Sequence, residues 1–225
     1  MILNRAGLPP AGDQPVVECR DPAGLSAITR PGTALALWRR QPPSALIEWL
    51  AAQDAQQLPH SRLLVRPADT RRAVTSVMEQ SGLPAGPMRD WLIGDIEALT
   101  RAFAAITANE TVDIRLEAVS HDSCWKFHRD YVPVRLLTTY RGPATEWVAP
   151  AHAEAALQAQ KDYDGPIERL EAGDVAIFKG KMAADADGIV HRSPPIAGTG
   201  QTRLLLCLNS PSDVSPEPWT SSSSE

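Results

Sequence analysis

Two periodicities divide this chain. In the N-terminal half apolar residues recur with a helical period, and in the C-terminal half they fall into short alternating or continuous runs bounded by turn residues. From Met88 to Thr107, Trp91, Leu92, Ile96, Leu99, Phe103 and Ile106 follow the i, i+3/i+4, i+7 spacing of one stripe on a long helix. The stretch from Ala68 to Gly82 predicts a second helix, with Asp69 or Thr70 as N-cap and Gly82 after the last turn. A third opens at Pro42-Pro43-Ser44, since proline is tolerated where a helix starts. Thr33–Arg40 and Ser61–Pro67 read as strands between these helices. After Asn109 the period changes to two. Val112, Ile114 and Leu116 fall on one face of a strand, and Asp113, Arg115 and Glu117 on the other. Further strands are expected at Val134–Tyr140, Glu146–Val148, Val175–Phe178, the run from Gly188 that ends at the turn Pro194-Pro195, and Thr202–Asn209; Ala151–Gln160 reads as a helical turn or a loop.

Short strands at this spacing point to a sandwich or barrel. The expected fold is α+β: a double-stranded β-helix core of jelly-roll or cupin-like type, with N-terminal helices packed on one face. Residues 1–16, rich in proline and glycine, read as a disordered lead-in, and residues 210–225, rich in serine and proline, as a disordered tail. Residues 17–209 form one expected domain, divided into an α/β elaboration (17–110) and a metal-binding β core (111–209).

Composition narrows the partners. The 225 residues are 43% hydrophobic, enough for one substantial core, and the formal charge of -5 comes with scattered lysines and arginines. No basic stripe offers a footprint for nucleic acid. No apolar run approaches a membrane span, and the N-terminus lacks a signal-peptide core, so cytoplasmic localisation is expected. Cys19, Cys124 and Cys207 lie far apart, which supports neither a disulfide framework nor a cysteine-based zinc module. Phosphate-binding and nucleophile-elbow signatures are missing. The sequence is silent on oligomeric state, and on whether a substrate is a small molecule or a peptide.

The chemistry is carried by histidine. Oxygen chemistry at a divalent iron needs three protein ligands on one face of an octahedron and open positions opposite, which two histidines and a carboxylate provide. In "HRD", His128 and Asp130 share one side of an extended chain while Arg129 faces away. The third ligand is expected at His191 in "GIVHRSPP", which a jelly roll can return to the same end of the barrel. Arg203, on the last strand, can clamp the distal carboxylate of a 2-oxo acid in two-pronged fashion. Arg192 is the alternative clamp, and Tyr140 and Thr138 are candidates by strand phase. Glu146 is either a partner of a ligating histidine or exposed. Trp125 and Trp147 read as core, Cys124 as a small buried residue or, with His121, part of a zinc pair, and His60 and His152 as loop surface.

The order His-x-Asp, turn and strand ("EAGDVAIFKG"), His, Arg resembles the Fe(II)/2-oxoglutarate-dependent oxygenases. The resemblance implies Fe(II) held by His128, Asp130 and His191 as the catalytic centre, 2-oxoglutarate as co-substrate, and Arg203 as its anchor. More closely, "KFHRDYVPVRLLTTYRGPATEW", "GDVAIFKG" and "HRSPP" resemble hallmarks of an uncharacterised bacterial family, from about Thr33 to Leu208. The same ligands also suit zinc. The rival expectation is therefore a cupin-like protein that binds or senses a divalent metal without catalysis, and a third is a metal-free jelly-roll binding module.

Overall fold

The computed structural model describes residues 15–185 and 187–221. In chain order its elements are β1 (Val16–Cys19), β2 (Leu35–Trp38), α1 (Ser44–Ala52), β3 (Ser61–Val65), α2 (Thr70–Gln80), α3 (Pro87–Thr107), β4 (Val112–Val119), β5 (Val134–Arg141), β6 (Glu146–Trp147), α4 (Ala153–Ala159), β7 (Glu168–Arg169), β8 (Val175–Lys179), β9 (His191–Arg192) and β10 (Arg203–Asn209). Seven strands form a large sheet in the order β1-β2-β8-β5-β10-β4-β3, antiparallel except for β1 with β2. Three short strands form a second sheet, β7-β6-β9. This is a mixed α+β protein in which α1, α2 and α3 cover one face of the large sheet, while the small sheet faces the other and α4 packs beside it.

Strand alternation sets both layers. Val112, Ile114 and Leu116 of β4, Leu136 and Tyr140 of β5, and Leu204, Leu206 and Leu208 of β10 join Leu92, Ile96, Leu99 and Phe103 of α3 in one core. The α3 stripe therefore buries as its spacing predicts. On the opposite face Leu35, Leu37, Leu137, Phe178 and Cys207 meet Trp147 and Ile189 in a second core. Trp147 is buried as expected, whereas Trp125 is half-buried and outside both cores.

A polar latch fastens the helical layer to the sheet. Arg40 grips Asp95 of α3 with both terminal nitrogens, at 2.5 and 2.7 Å, and the Tyr140 hydroxyl donates to the same carboxylate at 2.6 Å. Burial pushes the Tyr140 phenol far above its usual pKa, and Asp95 adds to this, so Tyr140 stays a neutral donor. Tyr140→Phe is expected to destabilise the fold by about 1.5–3 kcal/mol, the value of a hydrogen bond to a charged group. Denaturant unfolding checks this, and metal affinity should not change.

Several expectations need correction. Residues 1–14 and 222–225 of the expected disordered ends lie outside the described residues. Val16, placed in the lead-in, starts β1 against β2. The tail touches the body of the protein at Ser215, Pro218 and Trp219. Pro218 bridges Leu64 at the sheet edge, Trp219 N–H donates to the Leu64 carbonyl at 2.7 Å, and the Trp219 ring packs on the helical core. Serine and proline content predicts solvation, but here it covers the open edge of β3, which would otherwise present unpaired backbone. Ala151–Gln160 contains the helix α4, and the strand expected from Gly188 to the turn at Pro194 shrinks to β9.

Candidate metal centre

The site is built where the loop before β5 meets β9. Phe127 anchors that loop. The Gln160 side-chain amide brackets its backbone, accepting from its N–H at 2.9 Å and donating to its carbonyl at 3.0 Å. The Arg192 guanidinium lies 4.2 Å above the Phe127 ring, and Tyr163 meets that ring edge-on. The next residue, His128, exchanges two 3.0 Å backbone hydrogen bonds with His191. Residues opposed in this way across an antiparallel pair point their side chains to the same face. The two imidazoles lie 4.7 Å apart, centroid to centroid, with Phe178 packed on His191 at 4.9 Å.

Asp130 joins them from two residues beyond His128. Its carbonyl accepts from Lys181 N–H at 2.8 Å. The close approach depends on Gly180, where a Cβ would sit 2.6 Å from the Asp130 carbonyl and 2.2 Å from that of Val132. His128 Nε2 lies 3.6 Å from Asp130 Oδ1, and His191 Nε2 lies 3.3 Å from Asp130 Oδ2. One ligand atom from each of the three residues falls within 4.8 Å of the others, the only such group among the described residues. An ion about 2.1 Å from three mutually perpendicular ligands would space them about 3 Å apart, so modest tightening completes a facial set.

Protonation suits a metal. His128 Nδ1 contacts the Lys126 carbonyl at 2.7 Å, and His191 Nδ1 contacts the Ile189 carbonyl at 3.0 Å. A carbonyl only accepts, so each neutral ring carries its proton on Nδ1 and presents a lone pair on Nε2. Burial alone would push the Asp130 carboxyl up. The Nε2–H groups of the two histidines in their protonated form, whose place a metal would take, together with Arg135 outweigh that and hold it well below the usual carboxylate range. Asp130 also raises the His128 pKa, against the opposing effect of burial. Asp130 Oδ2 is buried without a hydrogen-bond partner among the described residues, a cost that a bound cation removes. The group therefore fits a divalent ion.

Arg135 is a site residue that the sequence reading does not single out. Its Nη1 donates to Asp130 Oδ1 at 2.5 Å and its Nε to Asn209 Oδ1 at 2.7 Å. This clamp holds Oδ1 and leaves Oδ2, 3.3 Å from His191 Nε2, as the free oxygen. Arg135→Leu is expected to weaken metal binding about 10- to 100-fold, the usual effect of losing a partner that orients a ligand. Competition with a chelating dye measures this.

The centre opens into a cavity of about 230 Å³ between the two sheets. His128, His191, Arg203, Arg135, Arg192 and Cys124 are among its lining residues. Arg203 is 2% exposed. Its Nε donates to the Pro143 carbonyl at 2.7 Å, while its Nη2 is buried without a partner among the described residues. Burial lowers its pKa, and nearby anionic groups oppose this. Burial pushes the Cys207 thiol, also in the cavity wall, up to about 11, so it is a neutral thiol there.

Other candidate residues fall elsewhere. Arg135 and Leu137 of β5 face the cavity, so Thr138 and Tyr140 have the opposite phase and turn toward the helices; neither lines the cavity. Arg192 does line it, but its Nε is committed to Glu146 Oε2 at 2.7 Å and its guanidinium to the Phe127 ring. Glu146 is buried between Arg192 and Arg169 and serves them rather than a histidine. Cys124 is exposed, not buried, and forms no metal group with His121 among the described residues. Arg115 and Glu117, read as the polar face of a strand, also line the cavity.

Fold and site together define a double-stranded β-helix with a His-x-Asp…His group at one end of its cavity. The chain belongs to the family described as protein of unknown function (DUF1826), which it matches over residues 19–209. No curated protein matches the sequence. Among solved structures, the chain is similar to the dioxygenase for auxin oxidation 1 of Arabidopsis thaliana, solved with 2-oxoglutarate: TM-score 0.50, 11% identity, covering 91% of this chain and 95% of that one. A prolyl-4-hydroxylase of Pseudomonas putida matches at TM-score 0.41 and 13% identity, covering 85% of this chain and 94% of the other. A bsmA homolog of Methylobium petroleophilum matches at TM-score 0.39 and 14% identity, covering 86% and 94%. At these identities the likeness speaks for the fold. No helix among the described residues is long and apolar enough to cross a membrane.

Proposed function

We propose that this protein is an Fe(II)/2-oxoglutarate-dependent oxygenase. One observation carries the reading: two lone-pair nitrogens and an unpartnered carboxylate oxygen converge at the end of a cavity that also holds an unpartnered arginine N–H. His128, Asp130 and His191 would hold Fe(II), which supplies the oxygen activation. Arg203 would bind the distal carboxylate of 2-oxoglutarate through Nη2, while its bond to the Pro143 carbonyl fixes the guanidinium plane. Val119, Leu137 and Leu205 give the cavity apolar walls that exclude water and strengthen this ion pair. The overall reaction balances as R–H plus O2 plus 2-oxoglutarate giving R–OH, succinate and CO2. Arg203 in the cavity wall favours this over a metal-binding protein without catalysis, which needs no buried cation there.

The test is succinate formation from 2-oxoglutarate by protein reconstituted with Fe(II), with oxygen and with it removed. The reading predicts succinate only when iron and oxygen are both present. Succinate at the no-enzyme rate, together with failure of 2-oxoglutarate to bind the iron-loaded protein, overturns it.

A further inference from the structure

The cavity holds more charge than a metal and its co-substrate use. Arg135 is committed to Asp130, Arg192 to Glu146, and Arg203 to the Pro143 carbonyl and, on the reading above, to 2-oxoglutarate. Arg115 and Glu117 are left over. Both project from β4 into the cavity, two residues apart on one face, beside Cys207 and Leu205 of β10 respectively. Arg115 Nε is buried without a hydrogen-bond partner among the described residues, and neither side chain pairs with the other there. Two residues along a strand separate their Cβ atoms by about 6.6–7 Å. A cation with a buried unpartnered N–H and a half-buried carboxylate that makes no side-chain hydrogen bond among the described residues, at that spacing, suit a ligand that carries both signs.

We propose that the substrate is a small zwitterion, an α-amino acid, whose carboxylate is bound by Arg115 and whose ammonium is bound by Glu117. The assignment rests on the oxygenase reading for what happens next, but not for the binding itself. The iron and Arg203 would take both carboxylates of 2-oxoglutarate, which frees Arg115 for a third. A cavity of about 230 Å³ shared with a co-substrate suits a ligand of amino-acid size. Arg115 sits in the row of Leu137 and Cys207, so the amino acid's side chain would meet apolar wall, and a C–H bond there is the one hydroxylated by the balanced reaction above.

Titration calorimetry under argon tests this. Iron-loaded protein, with and without 2-oxoglutarate, is titrated with each of the twenty common L-amino acids. The amine and the carboxylic acid obtained by deleting the carboxylate or the ammonium of the best binder follow. At least one amino acid is expected to bind, with both deletion analogues at least tenfold weaker. Arg115→Gln should abolish the preference over the amine, and Glu117→Gln the preference over the acid. The charge-transfer band of the iron–2-oxoglutarate complex should survive in both variants. No amino-acid binding, or equal binding of all three compounds, overturns the proposal. So does loss of that band in Arg115→Gln, which would make Arg115 a co-substrate anchor. A wild type that binds an amino acid but forms no such band overturns the oxygenase reading instead.

Discussion

His191→Ala is expected to bind Fe(II) about 100-fold or more weakly than wild type and to form no detectable succinate, while remaining folded. The imidazole is 4% exposed, so truncation removes a ligand and opens a small void beside Phe178. The backbone bonds between residues 191 and 128 do not depend on the side chain. Loss of a ligand should exceed the 10- to 100-fold cost of losing a residue that merely orients one. Asp130→Asn separates charge from shape. It keeps the volume, removes the negative charge that draws in the cation, and leaves Arg135 facing an amide. Iron content after desalting and unfolding midpoints on the same samples separate metal loss from misfolding. Iron retained by His191→Ala at the wild-type level would place the metal elsewhere.

Arg203→Leu should have the other large effect, on co-substrate use. Removing one partner from a buried, hydrogen-bonded charge pair costs about 2–5 kcal/mol, or about 30- to 4000-fold in affinity. The apparent KM for 2-oxoglutarate is therefore expected to rise within that range while iron affinity holds. Stability should change little or improve, because an arginine with a buried unpartnered N–H is itself a burden on the free protein. Arg203→Lys should not rescue, since an ammonium cannot donate to the Pro143 carbonyl and hold a carboxylate in one plane. An unchanged KM in Arg203→Leu would move the anchor to another arginine of the cavity.

Much of this arrangement is legible in the sequence, for identifiable reasons. The α3 stripe and the β4 alternation each point one face at the helical core, and period alone reveals that. His128, Asp130 and His191 are legible because extended geometry pairs i with i+2 and a jelly roll returns His191 to the same end. What period cannot reveal is the solvent on the other side. Asp113, Arg115 and Glu117 look like an ordinary water-facing edge, yet the small sheet folds over that face and makes part of it cavity wall. The phase of β5 is hard to read for the same reason. Thr138 and Tyr140 carry the polar groups that suggest a site, but Leu136 must face the helices, and that fixes Arg135 and Leu137 as the residues turned inward. Counting from Leu136 is the signal that finds Arg135. The Gln160 bracket on Phe127 joins positions distant in sequence, with no local signal. The docked tail is invisible to composition, which records solubility and not the open edge of β3 that Pro218 and Trp219 cover.

The most direct measurement is anomalous diffraction at the iron edge from crystals grown anaerobically with Fe(II) and 2-oxoglutarate. A single strong peak is expected within coordination distance of His128 Nε2, Asp130 Oδ2 and His191 Nε2, with the distal carboxylate of the co-substrate on Arg203. An iron peak away from these three atoms, or none at full iron loading, would contradict this placement.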